Sequence, residues 1–167
     1  MVANKTAPKA PERKTETLSL RIDPKTRYGL ELLSRIQRRS GTGVVEWAIG
    51  QALDRETVRD RVGNEWKLEQ AMHRLWQVDE LPRLLAMALE FPSLLTYEEQ
   101  RMAAVLMATS DMWHDDRQKN FASFNFTPAL TNWNKLKPML QDAINKPTVQ
   151  PLSETQLEEL GYTIIPF

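Results

Sequence analysis

The chain has no cysteine among its 167 residues and only two histidines, His73 and His114. The first absence removes disulfides, thiolate metal sites and thiol nucleophiles. The second leaves His114-Asp115-Asp116 as the place where imidazole and carboxylates meet in sequence. A catalytic metal usually takes three protein ligands at suitable spacing, so that cluster does not make a metal site. Glycine-rich phosphate loops, nucleophile elbows and histidine-based hydrolytic motifs are missing as well. The expectation is a protein with no enzymatic activity, no cofactor and no metal. Long apolar runs are also lacking: none approaches the ~20 residues that span a bilayer. Met1 to Lys14 is polar and proline-bearing, unlike a signal peptide. The expected location is the cytoplasm, without a membrane partner.

A hydrophobic content of 41% is adequate for a packed core. Net charge is zero, but it is unevenly placed. Residues 1–53 hold ten Lys and Arg against five Asp and Glu, whereas residues 54–167 hold twelve against seventeen. A neutral total therefore hides a basic head on an acidic body, an asymmetry that suits a phosphate-binding head.

Residues 1–15 carry Lys5, Lys9, Arg13 and Lys14 with Pro8 and Pro11 and almost no apolar content, which predicts a flexible basic arm. The next segment alternates. Thr17, Ser19 and Arg21 share one face of a predicted strand, and Leu18, Leu20 and Ile22 share the other. Asp23 as N-cap and Pro24 at the first helical position start a helix in which Tyr28, Leu32, Leu33 and Ile36 align, with Gly29 placed for a close backbone approach. Ser40-Gly41-Thr42-Gly43 breaks it, with Thr42 or Gly43 as the cap of a second helix whose apolar stripe includes Val44, Val45, Ala48, Ile49, Ala52 and Leu53. Both helices are too short to be stable alone. The lone strand leaves unpaired N–H and C=O groups, most economically satisfied by the same strand of a second copy. Leu18, Leu20, Ile22, Leu33, Ile36, Val45 and Ile49 are then the expected dimer core.

Beyond residue 54 the pattern is helical. The second helix either continues or breaks near Gly63 into a third that ends about Val78. Glu80 to Leu89 is a helix with Pro82 in its first turn. Thr96 with Glu99 and Ser153 with Gln156 read as capping boxes. Pro128 to Asn145 reads as one helix with Pro138 as its candidate kink, Gly161 ends the last helix, and Tyr162 to Phe167 form an extended tail.

The residues Thr17-Leu18-Ser19-Leu20-Arg21-Ile22-Asp23-Pro24, the helix ending near Ser40-Gly41, and Val44-Val45-Glu46-Trp47-Ala48-Ile49-Gly50-Gln51-Ala52-Leu53 resemble the ribbon-helix-helix family of DNA-binding proteins, the Arc and MetJ type. The resemblance implies a mainly α protein of three parts: the arm at 1–15, a dimeric head of one strand and two helices at 16–56, and an α-helical domain at 57–167 for oligomerisation or partner binding. It implies a homodimer, or a higher assembly along double-stranded DNA, whose two strands form an antiparallel ribbon in the major groove. There Thr17, Ser19 and Arg21 meet base edges, with Arg21 suited to bidentate contact with guanine. The free N–H groups of Thr42, Gly43 and Val44 would hold a phosphate, with Arg13 and Lys14 adding sequence-independent affinity. The expected function is transcriptional regulation in a bacterium, including control of conjugative plasmid transfer. An antitoxin or a relaxosome accessory protein with the same head is the alternative.

Overall fold

The structure is a computed structural model and describes residues 17–164. The expected arm, with Arg13 and Lys14, and the last three residues of the expected tail lie outside the described residues. Among those residues the chain is mainly helical, with eight α-helices and one small two-stranded sheet. Chain contacts group it into two compact units, Met1–Trp47 and Ala48–Phe167, where the sequence placed a boundary near residue 56.

In the first unit, α1 runs over Pro24–Gln37 and α2 begins at Gly41, continuing through the unit boundary to Arg55. The start of α1 follows from Asp23-Pro24. Asp23 Oδ1 accepts the Lys25 and Thr26 N–H groups, each at 3.0 Å, and proline needs no N–H partner at the first position. The Thr26 hydroxyl also donates to Asp23 and, with the backbone donors, holds its carboxyl below the usual range. The end of α1 was not foreseen: Arg38 adopts the left-handed conformation, φ 53°, a geometry glycine usually supplies. The cap of α2 differs too. Ser40, rather than Thr42 or Gly43, takes the position, and its Oγ accepts the Gly43 N–H at 3.1 Å.

The second unit opens with a correction. Residues 57–67 are a β-hairpin and not a continued helix: β1 (Thr57–Arg59) pairs antiparallel with β2 (Glu65–Lys67), Val58 opposite Trp66. Asp60 organises the turn. Its Oδ1 accepts the N–H groups of Val62 and Asn64, and its Oδ2 accepts from the Asn64 amide and the Trp66 indole at 2.9 and 3.0 Å. Desolvation pushes its pKa up, but donation from Trp66 and Asn64 outweighs this and the net direction is down. Gly63 completes the turn with φ 93°.

Helix α3 (Leu68–Leu75) follows directly, and α4 (Glu80–Glu90) lies against it. Val58, Ala71, Leu75, Ala86 and Phe91 form a small core there, with Trp66 packed edge-on to Phe91 at 6.0 Å. The hairpin is tied to the end of α4 by the Arg61 N–H, which donates to the Glu90 carbonyl at 2.8 Å, and Arg74 of α3 pairs with the Glu90 carboxylate at 2.7 Å.

The larger core is built from α4, α5 (Tyr97–Ala108), α6 (Phe126–Thr131), α7 (Trp133–Ile144) and α8 (Glu154–Glu159), with α5 beside α7. Both capping boxes form, at Thr96 with Glu99 and at Ser153 with Gln156, and Gly161 ends α8 at φ 83°. The single helix expected over 128–145 is two, broken at Asn132, while Pro138 is accommodated inside α7. Several buried polar groups find partners here. The Thr109 hydroxyl donates to the Val105 carbonyl and accepts the Leu152 N–H at 3.0 Å, fastening the approach to α8 onto the end of α5. The Trp113 indole donates to the Leu106 carbonyl at 2.9 Å, and Trp113 stacks edge-on against Phe124 at 5.0 Å across an isolated antiparallel bridge. The Arg101 guanidinium donates to the Ala143 carbonyl in the last turn of α7 at 3.4 Å and to the Lys146 carbonyl just beyond it at 2.5 Å. Among the described residues no helix is long and apolar enough to cross a membrane, and no His, Asp and Glu group is arranged to hold a metal.

Tyr162, expected in an extended tail, is buried, and its hydroxyl donates to the Asn125 carbonyl at 2.8 Å. Burial favours the neutral phenol and raises its pKa well above the ordinary value. The raised value means that this contribution is fully present below the unfolded pKa of about 10 and is lost as pH rises through the folded value. Tyr162→Phe should cost about 1 kcal/mol at neutral pH, because it leaves a carbonyl unpaired. Denaturant titrations from pH 7 to 11 should also show a shallower alkaline loss of stability than in the parent chain.

Candidate nucleic-acid interface

Residues 17–23 take neither helix nor strand in the single chain, and all seven are exposed. The strand expected over 17–22 is therefore not formed here. The physical reason is plain: a strand is defined by the partner that satisfies its backbone, and one copy offers this segment none. Thr17, Ser19 and Arg21 lie in this exposed stretch, and so do the alternating apolar residues, with Leu18 71%, Leu20 59% and Ile22 46% exposed.

The helices of the first unit are equally short of apolar cover. Helix α1 buries no residue at all; Leu33 is 39% and Ile36 78% exposed. On α2, Val44 is buried, Val45 is half-buried, and Ile49, just past the unit boundary, is exposed. All the residues expected in the dimer core lie on surface that this chain leaves accessible to some degree.

The start of α2 is more occupied than the sequence suggested. The Gly43 N–H donates to Ser40 Oγ, and the Val44 N–H donates to the Ser40 carbonyl at 3.0 Å. That leaves the Thr42 N–H without an acceptor among the described residues. A ligand at this end would find one open donor from the expected three, plus the helix dipole. Sequence reading missed the Ser40 cap although serine directly before a helical pattern is its ordinary signal; the glycines that follow obscured it.

Exposed cations lie along α1 and in the turn that follows it. Lys25, Arg35, Arg38 and Arg39 are exposed, and of the first unit's basic groups Arg27 is engaged, with Glu31 at 3.8 Å along α1. Arg38 and Arg39 both donate their backbone N–H to the Ser34 carbonyl, so the α1–α2 turn is closed by its own backbone while the two guanidinium groups stay on the surface. No family model, no curated protein and no solved structure matches the chain, so the assignment of this face rests on its residues.

Arg38 occupies a conformation that costs a side-chain-bearing residue about 1 kcal/mol relative to glycine. Arg38→Gly should therefore stabilise the chain by up to about that amount, seen as a higher Tm with unchanged circular dichroism. A lower Tm would show that the arginine side chain contributes more than the turn geometry costs.

Proposed function

We propose that the chain is a sequence-specific binder of double-stranded DNA that works as a homodimer in transcriptional control. In this reading, residues 17–22 of two copies pair as an antiparallel ribbon that enters the major groove. The observation that carries the reading is the exposed alternation at 17–22, immediately before two short helices whose apolar residues are largely uncovered in one chain.

Pairing would satisfy the backbone of both segments at once. It would place Leu18, Leu20 and Ile22 against α1 and α2 of the dimer, leaving Thr17, Ser19 and Arg21 outward. Gly29, in the middle of α1, meets nothing within 4 Å where a Cβ would stand, which leaves room for a partner's close approach. The guanidinium of Arg21 matches the paired acceptors of guanine, while the hydroxyls of Thr17 and Ser19 adapt to either base type. Thr42 at the start of α2, with Arg13 and Lys14, would hold phosphates and set the depth of the ribbon. The closed core of the second unit weighs toward a regulator with a folded second domain and against an antitoxin, whose neutralising segment typically orders only on binding.

Arg21→Ala is expected to cost about 1 to 3 kcal/mol on the cognate site and to relax base preference, whereas Lys14→Ala should weaken all sequences alike and flatten the salt slope. Fluorescence anisotropy on selected and random duplexes, repeated across salt concentrations, measures both. Equal losses on the two duplexes for Arg21→Ala would remove it from base reading.

Leu20→Asp tests the assembly. A carboxylate buried without a partner between ribbon and helices should abolish both the dimer and DNA binding. Sedimentation equilibrium should then report a monomer that keeps the helical signal of the second unit. A dimer that survived this substitution would count against the paired ribbon.

A further inference from the structure

The second unit holds a cavity that plays no part in the proposed DNA contacts. It is a recess of about 220 Å³, and Leu53 of α2, Met72 of α3, Trp76, Arg83 and Met87 of α4, and Leu94 are among its lining residues. The lining is hydrocarbon, thioether and indole, with Arg83 as its one charged residue. The Arg83 guanidinium carbon sits 5.6 Å from the Trp76 ring centroid, and no carboxylate pairs with it among the described residues. Trp76 is 66% and Met72 39% exposed, so the apolar mouth is open to water.

We infer that this recess binds a small amphipathic carboxylate, with its hydrocarbon body among Leu53, Met72, Met87 and Leu94 and its carboxylate against Arg83. Three features point to that class. Size comes first: a dry apolar cavity of ~150 Å³ holds a benzene-sized molecule, so this one suits a body half as large again, that of 3-phenylpropanoate. Next is the lining, in which two flexible thioethers mould to an irregular or aromatic hydrocarbon. Charge complementarity then selects the head group. The Arg83 guanidinium, near the Trp76 indole, carries no carboxylate partner among the described residues and offers a forked pair of donors that a carboxylate accepts from both oxygens. An amine of the same shape would be repelled, and an alcohol would lose the charge-assisted part of the bond.

The inference stands apart from the DNA reading and is tested on the full chain by isothermal titration with 3-phenylpropanoate, 3-phenylpropanol and 3-phenylpropylamine. The carboxylate should bind saturably and about fivefold more tightly than the alcohol, the scale of a partly exposed ion pair, with the amine weakest. Arg83→Gln should bring the carboxylate down to the affinity of the alcohol, and Arg83→Lys should keep part of the preference. Met72→Trp, which fills the recess from its exposed side, should remove binding of both; circular dichroism checks that each variant stays folded. Equal affinity for all three probes, an unchanged carboxylate affinity in Arg83→Gln, or no saturable heat at millimolar concentration would overturn the assignment. So would concentration-dependent self-association that Met72→Trp abolishes in the absence of ligand, since the recess would then be covered by a second copy.

Discussion

The hydrophobic effect is satisfied very unequally along this chain, and that imbalance governs its behaviour. Residues 81–162 close a core in which Leu81, Leu85, Leu106, Leu136, Leu140 and Leu160 have no solvent exposure. The described residues of the first unit bury Val44 alone. Two helices of this length gain most of their stability from an apolar face that finds a partner. Solvent-facing Leu18, Leu20, Ile22, Tyr28 and Ile36 therefore represent stabilisation that the single chain has not realised. Whatever covered those side chains would also hold the helices in place.

Local chemistry made much of the fold readable. Asp23-Pro24 starts α1, the pairs Thr96 with Glu99 and Ser153 with Gln156 form capping boxes, and Gly161 ends α8, because each of these signals acts within a few residues. Features that rest on distant contacts were hidden. The hairpin at 57–67 reads as charged and helix-compatible. It is held by the Asp60 carboxylate, by Trp66 against Phe91, and by the Glu90 carbonyl, which arrives from the far end of α4. The break at Asn132 was hidden by Pro138, the more conspicuous residue. Asn132 instead donates its side-chain amide to the Leu160 carbonyl at 3.0 Å, a contact that exists only once α8 has docked.

The candidate interface was legible to a different degree. Alternation at Thr17, Ser19 and Arg21 against Leu18, Leu20 and Ile22 is a property of order along the chain and is visible at once. The pairing that would turn it into a strand is, in the proposed function, intermolecular, and the described residues of one copy do not supply it. The start of α2 shows the opposite case, where Ser40 takes the Gly43 donor that a glycine-rich reading would have left free.

The boundary between the two units falls within α2, between Trp47 and Ala48, and not in a loop. Helical geometry makes α2 sensitive to length change: one residue inserted there would turn Ile49 and Leu53 by about 100° about the helix axis relative to Val44.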